Sequence, residues 1–445
     1  MTAGLDKLLA ESAAPEQATL RFQQLFEDQD LRRQIENLPA AGLAELVAVI
    51  SISNFLFRLL CRHPEVIDTF RQPIDGAVSS ADSEDFTALK YYKYRELLRL
   101  TRADLLTSLD DYPALLDGLT RLAETVLQQA LQLCRDQVIE MPLCMFGLGK
   151  LGAAELNYSS DVDLVFVTAN PDEYAGDYDE YGKQVIRCIR QFSRALEEPD
   201  VDGFLYRVDL KLRPWGRSGP LAMSVDETEQ YYEGSSESWE RFAWLRARVI
   251  AGTDSVSYDL GNDLLARLQP FVFSRTFGST DLERFIKIKS DMTKQRQRAG
   301  SWDVKVGVGG IRDIEFFVQM LQLVNGGKHP ELKTTNTLAA MRALVKAGLL
   351  SADEAGAIRK SYLFLRQLEN RLQMIDERQT HHLPDNEAER RVLARSLGYA
   401  NTGSDALDAF ETELERHQTL ARSCFERILP EQITDEENKT GTISK

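Results

Sequence analysis

The chain has 445 residues, of which 43% are hydrophobic and 27% charged, a composition typical of a folded protein with roughly two to four domains. Its formal net charge of −16 repels phosphate backbones, which argues against non-specific nucleic-acid binding but permits a local basic pocket. The N-terminus lacks a signal peptide and the most apolar stretch is interrupted by charged residues, so we expect a cytoplasmic protein that does not cross a membrane.

The cysteines are few and scattered, and none forms a C-x-x-C pair. An odd number at irregular spacing is typical of free thiols in a reducing compartment. The five residues concerned are Cys61, Cys134, Cys144, Cys188 and Cys424.

Residues 1–125 are predicted to be an N-terminal helical region. A dense apolar pattern over Ala41–Leu60 predicts a helix that ends just before Pro64, because proline cannot continue a helix. Amphipathic patterns predict two more helices over Ala88–Leu106 and Leu115–Val138, with a turn at Tyr112.

Residues 126–255 change character, because short apolar runs and glycines replace the helical periodicity. We expect a small sheet domain here, with strands at Leu143–Phe146, Leu164–Val167 and residues 203–213. Helices are predicted over Tyr181–Leu196 and Ser224–Ala247, and the aromatic residues of the second, Trp239 included, are expected in the core.

Residues 256–430 return to helical periodicity, and residues 431–445 are polar and predicted to be a flexible tail. Predicted helices are Asp281–Arg298, Ile311–Val324, Ala355–Glu377 and Ala406–Leu429. The predicted fold class is therefore α+β and predominantly helical, with a small mixed-sheet domain between N- and C-terminal helical domains.

The stretch from Gly147 to Gly152 reads G-L-G-K-L-G and follows a predicted strand, which matches the dinucleotide-binding fingerprint. We exclude that fold because only residues 153–160 separate the turn from the next strand, too few for a crossover helix. A P-loop is excluded as well, because Lys150 is followed by Leu151 rather than by serine or threonine.

Acidic residues follow the glycine turn at strand spacing. Asp161 and Asp163 open one predicted strand and point to the same face, and Asp209 lies on a further strand. Carboxylates held together repel unless a cation lies between them, and oxygen ligands suit Mg²⁺. Two such ions stabilise the attacking and leaving oxygens of a displacement at phosphorus. Glycine N–H groups and Lys150 are expected to contact phosphate.

Several charged residues have two interpretations. Lys211 and Arg213 continue the face of Asp209, where they either neutralise a leaving group or remain in water. Arg246 and Arg248 either contact phosphate or pair with the excess acid. Glu155 is expected on a helix surface or in a turn. Residues 306–315 form a second candidate site, the alternative being a helix entry loop whose charges face water.

The glycine turn, Asp-x-Asp and third aspartate resemble the nucleotidyltransferase superfamily of DNA polymerase β and the kanamycin nucleotidyltransferases, although Lys150 stands where serine is usual. Within it, GLGKLGAAELNYSSDVDLVF, GFLYRVDLKLRPWGRSGPL, YYEGSSESWERFAWLRARVI and KVGVGGIRDIEFFVQ resemble bifunctional glutamine synthetase adenylyltransferase/adenylyl-removing enzymes. HPEVIDTF and LENRLQMIDERQTHHLP resemble the N-terminal half, so we expect a fragment of a longer two-half enzyme.

That resemblance implies removal of AMP from a glutamine synthetase tyrosine by inorganic phosphate, with ADP as product, and a PII-type signal protein as a further partner. It implies that Asp161, Asp163 and Asp209 are catalytic and hold two Mg²⁺ ions. The residues implied to contact nucleotide or phosphate are Gly147, Gly149, Lys150, Ser160, Lys211, Arg213 and Arg248. Two alternatives stay open: adenylylation of glutamine synthetase from ATP, and a regulatory or scaffolding module without catalysis.

Overall fold

The computed structural model describes residues 2–73, 78–135, 142–173, 177–273, 301–399 and 406–428. The predicted helix Asp281–Arg298 and the predicted tail, residues 431–445, lie outside these ranges. The described residues form a predominantly helical protein around one small mixed sheet, as the predicted fold class requires. All five cysteines are free, as predicted.

The described part of the N-terminal region is helical, apart from residues 78–85 and short connections. Its helices are α1 (Thr2–Glu11), α2 (Pro15–Glu27), α3 (Gln29–Glu36), α4 (Ala40–Ile52), α5 (Asn54–Arg62), α6 (Phe86–Asp104) and α7 (Tyr112–Arg135), with a 3₁₀ helix at Pro64–Arg71. The turn predicted at Tyr112 is the first residue of α7, because proline at the following position suits the first turn of a helix.

The predicted single helix Ala41–Leu60 is wrong, since the chain bends by 119° between α4 and α5. Ser53 adopts an extended backbone there, and its hydroxyl caps α5 by accepting from the N–H of Leu56. The same hydroxyl donates to the carbonyl of Met374, 321 residues along the chain. No single helix in the described ranges is long and apolar enough to span a membrane; α4 and α5 together pass by length and composition only.

The sheet contains β1 (Leu143–Gly147), β2 (Asp161–Thr168), β3 (Arg207–Asp209), β4 (Ala222–Ser224) and β5 (Arg248–Gly252). β1 pairs antiparallel with both β2 and β5, whereas β3 and β4 pair in parallel with successive parts of β2. Only the four-residue helix α8 (Gly149–Gly152) and a short segment connect β1 to β2, so the exclusion of a dinucleotide-binding fold is confirmed.

Alternate residues of the sheet serve two separate hydrophobic cores. Met145, Leu164 and Phe166 join a core with the N-terminal helices and with α9 (Tyr178–Glu197). Phe146 and Val165 face the other way, toward the helices that follow β4. Those helices are α10 (Val225–Gly234), α11 (Glu240–Leu245), α12 (Ser255–Arg267) and α13 (Gln269–Val272).

Two predictions for this domain were too long. The predicted helix Ser224–Ala247 is divided into α10 and α11, and β4 and β5 flank it unpredicted. The predicted strand over residues 203–213 is only the three-residue β3. It ends where the Asp209 carboxylate accepts the N–H of Lys211, which starts a turn, and Trp215 then takes a positive φ of 62°.

The C-terminal region consists of α14 (Ile311–Asn325), α15 (Thr337–Lys346), α16 (Ala352–Met374), α17 (Glu387–Ser396) and α18 (Ala406–Glu426). Ile314, Tyr362, Leu365 and Phe410 are among the residues of its own hydrophobic core. Most of α16 is buried on every side from Ser361 to Met374, polar residues included. This helix therefore packs against the sheet domain as well as against its own neighbours.

Candidate active site

Three carboxylates lie side by side at one edge of the sheet. In the parallel pairing of β2 with β3, Asp163 is directly opposite Asp209, and Asp161 is opposite Arg207. Val162 and Leu164 are fully buried, whereas Asp161 and Asp163 are half-buried, which confirms the predicted alternation of faces. The register therefore brings Asp209 to the Asp-x-Asp pair from 46 residues further along the chain.

The surroundings of Asp163 disfavour the ionised form of its carboxyl group. Burial, and then repulsion from Asp209, raise the pKa of Asp163 to about 6, against the opposing attraction of Lys305 and Arg312. Asp163 is in no ion pair within the described ranges, so a bound cation would relieve this cost.

The two outer carboxylates each have a cationic partner. Arg207 Nε lies 2.6 Å from Asp161 Oδ1, and Lys211 Nζ lies 2.5 Å from Asp209 Oδ2. In the side-chain positions observed, no three acidic, histidine or cysteine groups of the described residues converge on a metal position. The donor set nonetheless fits a hard divalent ion, because three carboxylates stand on adjacent strands and Arg207 and Lys211 can turn away.

The glycine turn lies directly against Asp163. Gly149 has a φ of +57°, and a Cβ at this position would lie 2.6 Å from Asp163 Oδ2. The N–H of Leu148 donates to the carbonyl of Asp163 at 2.9 Å, which fixes the turn on β2. Gly149 is thus required both for its backbone conformation and for its proximity to the carboxylate. Gly147 instead packs against Leu151 and Ile250, away from the acids.

Lys150 is buried and its ammonium group is already occupied. Its Nζ lies 2.7 Å from both carboxylate oxygens of Glu369 on α16 and 2.9 Å from Asn157 Oδ1. Burial lowers the pKa of Lys150 to about 7, although the charge of Glu369 raises it. A phosphate contact by Lys150 remains a prediction, and in this structure the lysine joins the sheet domain to the C-terminal helices.

One face of α16 holds the segment that leads into β2. Tyr362, Arg366, Glu369 and Gln373 recur at helical spacing, and all are fully buried. Arg366 donates to the carbonyl of Glu155, and Gln373 accepts the N–H of Ser159 at 3.0 Å. The chain therefore reaches Asp161 along a path fixed by a helix some 200 residues away.

Glu155 was expected at a surface or in a turn, and the surface placement is wrong. It is 1% exposed and accepts hydrogen bonds from the hydroxyls of Thr337 and Tyr362 at 2.9 and 3.0 Å. For Arg246, a phosphate contact and pairing with an acidic residue were both left open, and its guanidinium lies 3.1 Å from the carboxylate of Glu315. These contacts explain how charged residues are accommodated at the base of the site.

A cleft of about 300 Å³ opens beside the carboxylates. The residues that line it come from the glycine turn, β2, α11, the entry to α14 and the segment after α16: Gly149, Lys150, Ser160, Asp161, Asp163, Leu212, Trp239, Phe242, Ala243, Arg246, Lys305, Arg312, Phe316, Gln319 and Gln379. Acidic, cationic and aromatic side chains thus face one space, which suits a ligand with a phosphate and a planar ring.

Trp239 was predicted in the core, and that prediction is wrong. The break between α10 and α11 leaves its side chain 38% exposed on the wall of the cleft. Phe242 lies one turn further along α11 on the same wall, and its ring centroid is 6.4 Å from that of Phe316. The aromatic pattern identified the residues but not the helix break that exposes them.

The remaining predicted phosphate contacts lie outside the cleft lining. Arg213 donates to backbone carbonyls of its own loop, including that of Leu210 at 2.7 Å, since the turn after β3 reverses the chain. Lys211 therefore reaches Asp209 from a turn rather than from a strand. Arg248 pairs with Glu124 and donates to the carbonyl of Gly152.

The second candidate site, residues 306–315, borders the cleft through Arg312. Asp313 and Glu315 are each 1% exposed, so the alternative of charges in water is wrong for both. Burial raises the pKa of Glu315, but the charges of Arg246 and Arg312 outweigh burial and lower this pKa to about 2. The buried carboxylate accordingly stays ionised at neutral pH.

Two cationic residues near the carboxylates, Arg207 and Lys305, were not predicted as site residues, and Arg312 was predicted only as part of the second candidate site. Arg207 could have been found from strand spacing, because it stands two residues before Asp209 and so on the same face. Lys305 and Arg312 flank the glycines of the second candidate site, but whether their side chains face the cleft depends on the tertiary fold.

Family comparisons divide the chain at a point after the sheet domain. Residues 43–262 match the family described as glutamate-ammonia ligase adenylyltransferase. Residues 284–429 match the family described as GlnD PII-uridylyltransferase. Cleft residues from both matched ranges face one another, so the site is built from both.

Three similar proteins match most of the length of the chain. A bifunctional glutamine synthetase adenylyltransferase/adenylyl-removing enzyme of Stenotrophomonas maltophilia K279a is 38% identical over 82% of this chain and 41% of its own. The enzyme of that description from Xanthomonas campestris B100 is 37% identical over 88% of this chain and 43% of its own length. That of Xanthomonas axonopodis pv. citri 306 is 36% identical over 94% and 44%. The chain therefore spans about two fifths of the length of these relatives.

Proposed function

Because the chain is homologous over most of its length to bifunctional glutamine synthetase adenylyltransferase/adenylyl-removing enzymes, we propose that it removes AMP from an adenylylated tyrosine of glutamine synthetase by phosphorolysis. Phosphate is the nucleophile and ADP the product. Because the reaction changes the modification of glutamine synthetase, its proposed role is to regulate nitrogen assimilation. The observation that carries the proposal is the in-register pairing of Asp163 with Asp209 beside a glycine turn, in a cleft that also holds cations and aromatic rings.

The proposed step is a displacement at the phosphorus of the tyrosine-bound AMP. An oxygen of HPO₄²⁻ forms a bond to that phosphorus while the bond from phosphorus to the tyrosine oxygen breaks. The bonding electron pair goes to the tyrosine oxygen, which takes the proton that the phosphate brought. The products are unmodified tyrosine and ADP, with a total charge of −3 on both sides.

The residues of the chain have distinct roles in this proposal. Asp161, Asp163 and Asp209 would hold Mg²⁺, which when bound supplies positive charge for the phosphoryl oxygens. Gly149 allows the turn to lie against Asp163.

We place the adenine against the aromatic wall. Trp239 and Phe242 present rings to the cleft within the same cavity as the carboxylates. Stacking of a base on an aromatic side chain contributes roughly 1–3 kcal/mol and tolerates any base. Gln319 and Gln379 also line the cleft.

The direction of transfer rests on the resemblance of the flanking segments to the N-terminal half of the enzyme. A product assay tests it: adenylylated glutamine synthetase is incubated with the chain, Mg²⁺ and phosphate, and nucleotides are separated. ADP is the expected product. AMP would mean hydrolysis and would overturn the phosphorolysis proposal.

A second candidate is adenylylation of glutamine synthetase from ATP. It is favoured by the match of residues 43–262, whose family is described as an adenylyltransferase. Incubation of unmodified glutamine synthetase with ATP labelled in the α-phosphate distinguishes the two. Label incorporation by this chain alone would support the second candidate, and its absence together with ADP formation supports the first.

The helical regions are proposed to recognise proteins. Residues 284–429 match a family described by its action on PII, so we propose that a PII-type signal protein contacts this part of the chain. Co-sedimentation of the chain with a PII-type protein tests the contact, and no association at tens of micromolar would contradict it.

The proposed location is the cytoplasm, with which scattered free thiols agree.

A further inference from the structure

Four cationic side chains line the cleft, and two of them are neutralised by buried carboxylates. Lys150 is bound by Glu369 at 2.7 Å, and Arg246 by Glu315 at 3.1 Å. Both also contact neutral groups, namely Asn157 and the hydroxyl of Thr337. These two cations therefore have little capacity left to bind a further anion.

The other two cations, Lys305 and Arg312, retain donors. Among the described residues, no carboxylate lies within ion-pairing distance of Lys305 Nζ and no hydrogen bond to it is formed. Arg312 has a single ion pair, at 3.5 Å, with Glu315, the carboxylate that Arg246 already holds. Its buried Nε has no hydrogen-bond partner. Unused donors on a half-buried charge are costly unless a ligand satisfies them.

The backbone fixes these two cations as a pair. The N–H of Arg312 donates to the carbonyl of Lys305 at 2.9 Å, across the glycines between them. The same segment is anchored by Asp303, which accepts the N–H groups of Lys305 and Val306. A rigid segment thus carries two positive charges to one wall of the cleft.

The carboxylates stand on the wall that carries β2. Neither Asp161 nor Asp163 is ion-paired with Lys305 or Arg312, although all four line the same cleft and the two cations oppose the rise in the pKa of Asp163. An incoming phosphate is repelled by three aspartates and needs compensating charge on its far side. Two adjacent cations, one with a planar fork of N–H donors, match a dianion with tetrahedrally arranged oxygens.

We propose that Lys305 and Arg312 form a subsite for a phosphate dianion, opposite the carboxylates of the cleft. The assignment rests on the proposed function for its place in the reaction, where this dianion is the attacking phosphate. The same chemistry is found in the outer phosphates of a nucleotide, so the source is decided by experiment. In either case the C-terminal helical region contributes directly to the reaction centre.

The test measures binding of inorganic phosphate, AMP and ADP to the whole chain with Mg²⁺ by calorimetry. The variants are Lys305→Met and Arg312→Gln. Matched controls remove the same charges from exposed positions of α15, as Lys346→Met and Arg342→Gln. We expect each cleft variant to weaken phosphate binding roughly ten- to a hundredfold, because a charge-assisted hydrogen bond is lost. AMP binding and both controls should change less than about twofold.

The two sources give different patterns. Loss of affinity for free phosphate, with AMP retained, supports a nucleophile subsite. Loss for ADP alone supports a subsite for the outer phosphate of a nucleotide. Unchanged affinity for both ligands in both variants overturns the subsite. If Lys305→Met fails to fold, as judged by circular dichroism, Arg312→Gln carries the test, because its side chain is 30% exposed.

The same variants separate this proposal from the proposed function. In the product assay, Arg312→Gln should raise KM for phosphate at least about tenfold with a smaller change in kcat. A wild-type chain that forms no ADP, but whose phosphate binding depends on Lys305 and Arg312, would refute phosphorolysis and retain the subsite. ADP formation with an unaltered KM for phosphate in both variants would support phosphorolysis and refute the subsite.

Discussion

Two groups of charged residues near the cleft are built on opposite principles: the sheet wall, formed by the aspartates of β2 and β3, and the helical wall, the buried charged face of α16 that holds the lining residue Lys150 from behind. On β2 and β3, three aspartates stand next to one another, and Asp163 has no ion-pair partner among the described residues. On α16, Glu369 and Arg366 are fully buried, and each has an oppositely charged partner or a carbonyl within hydrogen-bonding distance. The sheet wall retains unbalanced charge that a ligand can satisfy, whereas the helical wall uses balanced charge to hold two regions together.

The largest effect is expected from removing the charge of the sheet wall. Asp161→Asn combined with Asp163→Asn should lower ADP formation by at least about 10⁴-fold, because it removes two of the carboxylates proposed to hold Mg²⁺. The fold should survive, since a raised pKa means that Asp163 gains little from its charge. Asp259→Asn with Asp263→Asn, on the exposed side of α12, is the matched control. Undiminished activity in the cleft variant would refute the metal assignment.

Breaking the helical wall should instead damage stability. Glu369→Gln leaves Lys150 and Arg366 without their buried carboxylate and should cost about 3–5 kcal/mol of unfolding free energy. Denaturant unfolding measures it, with Asp353→Asn on the exposed first turn of α16 as control, expected to cost about 1 kcal/mol or less. Lys150→Met added to Glu369→Gln should cost less than the sum of the two single changes. Strict additivity would show that the pair is not coupled.

The pH dependence of stability should separate the walls further. The pKa of Asp163 is about 6 in the fold and about 3.8 when unfolded, so the folded state binds more protons between these values. Its contribution is fully present below about pH 4 and is lost as pH rises through 6, by roughly 1–3 kcal/mol without metal. The difference in unfolding free energy between wild type and Asp163→Asn, measured from pH 4 to 7 in the presence of a chelator, isolates the contribution of Asp163. A pH-independent difference would contradict it.

The smallest expected effect concerns the exposed aromatic ring. Trp239→Ala should raise KM for the adenylylated substrate about tenfold and leave stability nearly unchanged, because the residue is 38% exposed and its ring is proposed to stack on the adenine. Tyr258→Ala, an exposed ring on α12, is the control and should leave KM unchanged. A large loss of stability with KM retained would return Trp239 to a structural role.

Sequence reasoning found the sheet wall because its signals are local. Alternation over Asp161 and Asp163 is a property of one strand, and the glycine turn lies beside it in the chain. It also found α16 as a helix, from the recurrence of apolar residues. What it could not find was that the polar face of α16 is buried, because Glu369 meets Lys150 across 219 residues.

The other missed features have the same cause. Ser53 breaks a helix that its local pattern favours, and its hydroxyl meets Met374 from the far end of the chain. Trp239 looks like a core residue until the break between α10 and α11 turns it to the cleft. Tertiary contacts decide these positions, and neither propensity nor periodicity encodes them.

The most direct test of the account follows radiolabelled inorganic phosphate through the reaction with adenylylated glutamine synthetase and Mg²⁺. If the cleft directs phosphate onto the adenylyl phosphorus, the label appears in ADP, unmodified tyrosine accumulates in equal amount, and both are absent with Asp161→Asn and Asp163→Asn together. Release of AMP with the label remaining in free phosphate would contradict the account, because water would then be the nucleophile.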